Sequence, residues 1–355
     1  MPRRADRYAV VMAGGTGTRF WPHSRRRLPK QLLRITGPRT LLQETVDRLR
    51  GIVPPGQILV VTHRDHVAEV RRQLPQLPAA NVLVEPIGRN TAPCLAFAAL
   101  TLAERAPNAT FVSLPADHAI ADPRRFRATL TEAFGWAARE RAPVTIGIVP
   151  TGPETGYGYI RLGEPLGRHA RRVRAFVEKP PLAQARRFVA AREYLWNSGM
   201  FVWRVDVVLA LLEKHLPALM ATLRQAMRHT GRRRAAAIAR AYRRLMPVSI
   251  DYGIMEKAAR VVVVRGDFGW SDVGSWAALA DLERGLGGGS RAPVVAVDAA
   301  RYVVFSPERL VALVGVDDVI VVDAPDALLI CRRDRAQDVR RVVEELQRRH
   351  LDGYL

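Results

Sequence analysis

A glycine-rich run with two cations close behind it opens the chain: Gly14-Gly15-Thr16-Gly17-Thr18-Arg19, then Pro29-Lys30-Gln31. Small residues let a backbone approach a phosphate and cradle it with N–H groups. The run is not a Walker A loop, since no Gly-Lys-Ser/Thr follows, and not a dinucleotide fingerprint, since Phe20 stands in the third glycine's place. By itself it also reads as a tight strand-to-helix turn. With Arg19 and Lys30 beside it, it suits a triphosphate whose charge rises in the transition state. Asp117 in Leu-Pro-Ala-Asp-His and Asp272 in Gly-Trp-Ser-Asp-Val-Gly suit Mg2+, which takes one or two protein carboxylates and completes its shell with phosphate and water. Singly, each is also a common cap or turn residue. Glu178-Lys179 in Phe-Val-Glu-Lys-Pro and Asn197 in Trp-Asn-Ser-Gly-Met-Phe form a third group. Glu and Asn suit sugar hydroxyls and Lys suits a phosphate. Singly, these are also a surface turn and a strand end.

The chain has 355 residues and a formal net charge of +21. Of its 55 basic residues only Lys30, Lys179, Lys214 and Lys257 are lysines. The arginines are spread along the whole sequence, which reads as compositional bias; a role in attracting anions is the alternative. Lysine and arginine differ in shape and hydration, so a lysine kept inside a motif of such a chain marks a chemical requirement. No nucleic-acid recognition module is present, so neither nucleic acid nor membrane is expected as a partner. Two cysteines, Cys94 and Cys331, lie far apart without CxxC spacing, which argues against a disulfide framework or a cysteine-rich metal site. No run approaches the ~20 apolar residues of a membrane helix. A cytoplasmic protein is expected.

These residues need a scaffold. Apolar runs at 8–13, 58–62, 82–84, 110–114 and 144–149 read as strands, with helical stretches at 41–50, 64–74, 92–105 and 125–140 between them. Such alternation predicts an α/β fold, a doubly wound mixed sheet with ligands at the carboxyl ends of its strands. An Arg/Ala-rich region at 218–245 reads as a helical, solvated face. Gly285 to Gly289 is the best linker, dividing a catalytic domain, 1–285, from a small C-terminal domain, 290–355. In the latter, short runs at 294–297, 302–305, 310–314, 319–322 and 327–331 predict strands. Val339, Val342, Val343 and Leu346 predict a closing helix.

Taken together, GGTGTRFWPHSR, PKQ, EPIGRNTAP, LPADH, TGYGYI, FVEKP, WNSGMFVWR, SIDYGIMEK and GWSDVGSW resemble the mannose-1-phosphate guanylyltransferases, in that family's order and from Gly14 to Trp276. The stretch from Arg309 to Val339 extends the resemblance to the C-terminus. The resemblance implies a nucleotide-diphospho-sugar transferase fold of Rossmann-like type. It implies that Gly14, Gly15, Thr16, Gly17, Thr18 and Arg19 hold the nucleotide phosphates, with Lys30 at the reacting phosphorus. Glu85, Arg89 and Asn90 would lie near guanine and ribose. Asp117 and Asp272 would hold Mg2+. Glu178 and Asn197 would bind mannose hydroxyls, Lys179 the sugar phosphate, and Gly158 the sugar through its backbone. Asp251, Glu256 and Lys257 lie in a matching motif without assigned chemistry, and a structural ion pair is as good a reading. His23 departs from the family, where Leu is common.

The implied reaction is transfer of GMP from GTP to mannose 1-phosphate, giving GDP-mannose and pyrophosphate, in a homodimer. Longer family members carry an added isomerase domain, and no isomerase activity is expected here. Two rivals within the resemblance are a sister thymidylyl- or adenylyltransferase acting on glucose 1-phosphate and a silent regulatory homologue. The first is disfavoured by EPIGRNTAP and by FVEKP with WNSGMF. The second should have lost Lys30, Asp117 or Asp272, and all are present.

Overall fold

The structure is a computed structural model that describes residues 6–285 and 293–355, and for 283–285 the backbone only. Past Gly285 the expected linker lies outside the described residues. Two compact units result, and they do not follow chain order. One takes the described residues of Met1–Gly14, Thr45–Ala116 and Ile120–Trp270; the other takes Gly15–Glu44, Asp117–Ala119 and Ser271–Leu355.

The first unit is built on a nine-stranded sheet. Its strands are β1 (Arg7–Ala13), β2 (Ile58–His63), β3 (Val82–Glu85), β4 (Thr110–Pro115), β5 (Val144–Ile148), β6 (Tyr159–Pro165), β7 (Ala170–Val177), β8 (Tyr194–Arg204) and β9 (Val262–Gly266). Across the sheet the order is β3-β2-β1-β4-β8-β5-β9-β7-β6. β1, β2, β3 and β4 pair in parallel, joined by helical crossovers; β1, β2 and β4 are buried along most of their length, while Val84 of the edge strand β3 is exposed. β8 enters antiparallel between β4 and β5 and makes the sheet mixed, as the sequence predicts. It carries the aromatic segment Trp196 to Trp203, whose outer part pairs with β6 as well.

The main core of this unit lies against the helix Thr91–Arg105, buried from Ala92 to Leu102. Helices Pro217–Met227 and Gly231–Arg244 complete it with Leu219, Met220, Leu223, Ile238 and Tyr242. This corrects the reading of 218–245 as a solvated face. The arginines there do face water, but the alanines and leucines between them form an apolar stripe at helical spacing, and that stripe is packed.

The second unit joins the segment after the glycine run to the C-terminal strands β10 (Val294–Val297), β11 (Val303–Phe305), β12 (Val311–Val314), β13 (Val319–Ala324) and β14 (Ala327–Arg332). β10 pairs with β12 and β11 with β13, both in parallel; β14 pairs antiparallel to β13. The closing helix, Val339–Arg348, puts Val339 and Val343 into one core with Phe20, Trp21, Ile35 and Leu41. Trp276, 1% exposed, is the hub of that core, with ring centroids 4.9 Å from Phe20 and 4.8 Å from Phe305. Its indole N–H donates to the Trp21 carbonyl at 3.1 Å. A fully buried aromatic of this size contributes about 3 kcal/mol through burial, so the pieces of the unit are tied strongly. No helix among the described residues is long and apolar enough to cross a membrane.

Candidate active site

In the second unit, a cavity of about 390 Å3 is lined by Thr16, Gly17, Thr18, Arg19, Lys30, Asp117, His118, Asp272, Gly274 and Arg340, with Phe20 behind them. The glycine run turns sharply here. Gly17 sits at φ +62°, a conformation that glycine adopts without a Cβ clash. The Gly15 carbonyl accepts from the Gln31 side-chain amide at 2.9 Å and the Gly17 carbonyl from the Ser24 hydroxyl at 2.7 Å. The backbone N–H groups of Gly15, Thr16 and Gly17 make no hydrogen bond among the described residues. Three consecutive donors thus stand available to an anion.

Lys30 is 4% exposed and lines the cavity, and its ammonium uses two of its three donors in the pocket wall. It lies 3.0 Å from Asp117 Oδ2 and donates to the Asp272 carbonyl at 2.7 Å. The Phe20 ring lies 5.3 Å from Nζ. Burial would raise the Asp117 pKa, but the charges of Lys30 and His118 outweigh it and hold the carboxyl below its ordinary value. Asp117 is therefore ionised at neutral pH. Asp272 accepts from the Gly274 N–H at 3.0 Å in a tight turn. Val273 in that turn has φ +45°, a strained state for a β-branched residue costing about 1–3 kcal/mol. Its side chain, fully buried in the Trp276 core, holds it there. Arg19 is exposed, 3.4 Å from the Gly274 carbonyl. Two carboxylates far apart in the sequence, Asp117 and Asp272, line one cavity beside a phosphate-type loop, a donor set that fits a divalent cation completed by phosphate and water.

His23 bonds the Asp323 carbonyl through Nε2 at 3.0 Å and meets the Trp276 ring edge-on at 5.2 Å. A leucine could fill the space but not make the hydrogen bond, so the departure joins the loop to β13.

In the first unit a second polar cluster stands at the ends of β6, β7 and β8. Asn197 donates from its amide to Asp251 Oδ1 at 2.9 Å and accepts from the Thr145 hydroxyl at 3.2 Å. Its backbone N–H donates to the Gly158 carbonyl at 2.8 Å. Glu178 is buried: Oε1 accepts from Lys179 Nζ at 2.9 Å, while Oε2 has no hydrogen-bond partner among the described residues. A Cβ on Gly158 would stand 2.4 Å from that oxygen, so a side chain there would displace the Glu178 carboxylate. Burial, and then the Glu178 charge, push the Asp251 carboxyl up to about 6. Burial would lower the Lys179 pKa, but its hydrogen bond to Glu178 together with the charges of Glu178, Tyr252 and Asp251 raises it. Two close carboxylates, one with an unused buried oxygen, can accept hydrogen bonds from the hydroxyls of a sugar. Asp251 and Glu256 do not pair with Lys257 among the described residues: Asp251 holds Asn197, and Glu256 Oε1 accepts the Glu178 N–H at 3.2 Å.

Glu85 ends β3, 3% exposed, and burial raises its carboxyl to about 7 against a hydrogen bond from Tyr242. Its Oε1 has no partner among the described residues, and its Oε2 is 3.1 Å from where a Gly14 Cβ would stand. Arg89 and Asn90 are differently used. The Arg89 guanidinium donates to the Tyr242 and Arg243 carbonyls at the end of the Gly231–Arg244 helix. Asn90, at φ +70°, caps the Thr91–Arg105 helix by accepting from the Thr91 N–H at 2.8 Å.

One residue of these sites has no marker in the sequence, and another is marked by its motif but not by its partner. Arg340 is one arginine among many, and only the packing of its helix against Thr18–Phe20 brings it to the phosphate loop. Asp251 stands in the Ser-Ile-Asp-Tyr motif, but its partnership with Asn197 spans 54 positions.

Residues 8–287 match the family model described as nucleotidyl transferase. Residues 292–346 match one described as a MannoseP isomerase/GMP-like β-helix domain. Over 351 residues the chain is 41% identical to the xanthan biosynthesis protein XanB of Xanthomonas campestris pv. campestris, covering 97% of this chain and 74% of that one. It is 41% identical to mannose-1-phosphate guanylyltransferase of Escherichia coli K12, covering 96% of this chain and 73% of that one. A Thermus thermophilus crystal structure described as mannose-1-phosphate geranyltransferase superposes with a TM-score of 0.85 at 37% identity, covering 96% of this chain and 99% of that one.

Proposed function

Since the chain belongs to the nucleotidyl transferase family, we propose that it transfers GMP from GTP to mannose 1-phosphate, giving GDP-mannose and pyrophosphate. The observation that carries the reading is the trio of N–H groups at Gly15, Thr16 and Gly17, unpartnered among the described residues, in a loop whose Thr16 and Gly17 line one cavity with Lys30. The relatives named for this reaction support the choice of substrates. In this reading 1–285 is the catalytic domain and 290–355 the β-rich domain, and the active form is a cytoplasmic homodimer.

The sugar phosphate is the nucleophile. One of its oxygens bonds to the α-phosphorus of GTP as the bond to the bridging oxygen breaks, and pyrophosphate leaves with that electron pair. The nucleophile is already an anion, so no residue need remove a proton. The obstacle is the approach of two polyanions, which fixed cations and donors lower by positioning and charge neutralisation. The loop from Gly14 to Thr18 and Arg19 hold the GTP phosphates, and Lys30 faces the reacting phosphate. Asp117 holds Lys30 in place, which fixes the ammonium before substrate arrives. Glu178, Asn197 and the Gly158 backbone orient the mannose, and Lys179 holds its phosphate. Glu85, Arg89 and Asn90 lie toward guanine and ribose, the last two through the backbone they hold. Asp117 and Asp272 would hold Mg2+, which would supply further neutralisation of phosphate charge.

Pyrophosphate release across a panel of nucleoside triphosphates and sugar 1-phosphates tests this. GTP with mannose 1-phosphate should be the best pair and should require Mg2+. Faster turnover of dTTP or ATP with glucose 1-phosphate would overturn it.

A further inference from the structure

The first unit holds a cavity of about 500 Å3 that shares no lining residue with either cluster described above. Arginines from four elements surround it. Arg168 stands on the turn between β6 and β7, Arg171 on β7, Arg192 just past the helix Leu182–Ala191, and Arg265 on β9. His169 completes the rim, and its carbonyl accepts the Arg265 N–H at 2.9 Å, which ties the turn to β9. Among the described residues no Asp or Glu lines the cavity. The guanidinium groups of Arg168, Arg171, Arg192 and Arg265 form no hydrogen bond or ion pair among the described residues.

Elsewhere the chain's arginines divide into paired and unpaired ones, as 55 basic residues against 34 acidic ones require. Arg161, Arg172, Arg204 and Arg260 are in the same unit, and each is paired with a carboxylate. What sets Arg168, Arg171, Arg192 and Arg265 apart is that they converge from four elements on one hollow with no carboxylate in its lining among the described residues. Below the rim the cavity is apolar, with Leu162, Val189, Leu195 and Val263. Tyr194 forms one wall, its ring stacked on Phe188 at 4.0 Å and thereby held rigid. A volume of this size with an apolar floor and a few converging polar groups is that of a small-ligand site. Guanidinium forks match phosphate oxygens two by two, and several forks at one rim need more than one phosphate to engage them.

We propose that this cavity is a second anion site, which binds a ligand carrying two or more linked phosphates. Leu195, in its floor, stands two residues from Asn197 on the same face of β8, and Leu195 and Val263 both fill the space that a Cβ on Gly147 would need, Gly147 being the partner of Asn197 across the sheet. Occupancy therefore bears on the strand that carries the sugar-site amide.

Calorimetric titration of the full chain in metal-free buffer tests it, with inorganic tripolyphosphate and GDP as probes. Tripolyphosphate should bind wild type and Lys30→Ala alike at this site. Both Arg171→Ala with Arg265→Ala and Arg168→Ala with Arg192→Ala should weaken that binding by at least ~10-fold, the loss expected for charge-assisted bonds. The second pair lies on a turn and a helix end, so it serves if the first pair fails to fold. If GDP is weakened in parallel, the site accepts nucleotides; if tripolyphosphate alone is weakened, the phosphate chain is the ligand. Both results support the site. Unchanged tripolyphosphate binding in the folded double variants overturns it. So does a collapse of GTP and mannose 1-phosphate turnover in them, since that would place these arginines in the reaction. The binding readout stands whether or not the guanylyl reading is correct.

Discussion

A Cβ placed on Gly17 would stand 2.4 Å from the Cβ of Lys30 and 2.8 Å from its backbone nitrogen. The loop that presents free N–H groups and the segment that carries the buried ammonium are in contact, backbone to backbone. Gly17 also has φ +62°, so a side chain there is strained as well as crowded. Gly17→Ala should therefore move Lys30 and lower kcat by ~10²-fold, with a stability loss of about 1–3 kcal/mol. Steady-state kinetics and thermal melting measure both, and a near wild-type kcat would show that the contact is not used.

Lys30→Arg keeps the charge but not the shape. The ammonium fits between Asp117 Oδ2 and the Asp272 carbonyl with 4% exposure, and a planar fork needs more room. Turnover should fall mainly in kcat. Lys179→Arg should act mainly on the KM of the sugar phosphate, because that group holds ground state and transition state alike. Lys214 is exposed on the helix Val205–His215, outside every cluster, and Lys214→Arg should be silent. Equal kinetics for all three would mean that the lysines survive by accident.

Glu85 gives a pH signature. Its carboxyl is raised to about 7 in the folded state by burial, above the ordinary range near 4.5. Between those values the unfolded chain binds fewer protons than the folded one, so this group makes stability fall as pH rises. Glu85→Gln removes that dependence. Relative to wild type, the variant should gain stability steadily between about pH 4.5 and 7, by up to about 3 kcal/mol. Melting temperatures across that range decide it, and a constant difference would contradict a raised Glu85.

Arg340 reaches the phosphate cavity from the closing helix, with no hydrogen bond or ion pair among the described residues. Arg340→Ala should raise the KM for GTP, and for pyrophosphate in the reverse direction, by ~10-fold, as expected for a lost charge-assisted contact. The KM for mannose 1-phosphate should stay put. Arg341→Ala removes the same charge one residue along the same helix, outside the cavity lining, and should leave all three constants alone. Equal effects of the two variants would reduce Arg340 to a contributor to net charge.

Much of this was legible in the residues themselves. Strands β1 to β5 and the five C-terminal strands announce themselves by apolar runs punctuated with Gly, Pro and Asp, because side-chain period and turn chemistry are local. The glycine run, Lys30, Asp117, Asp272, Glu178 and Asn197 stood out because their types match phosphate, metal and hydroxyl chemistry. What only the tertiary structure decided is which of them meet. Lys30 finds Asp117 across 87 positions and the Asp272 carbonyl across 242. Asn197 finds Asp251, and Arg340 finds the glycine loop, through no pattern that a window of residues contains. The apolar stripe of 218–245 was hidden for a related reason. Alanine among arginines has too little hydrophobicity to mark a buried face until a partner helix closes over it. Periodicity reports on neighbours within a turn or two of chain, whereas the sheet order and the core around Trp276 set distances between residues hundreds of positions apart.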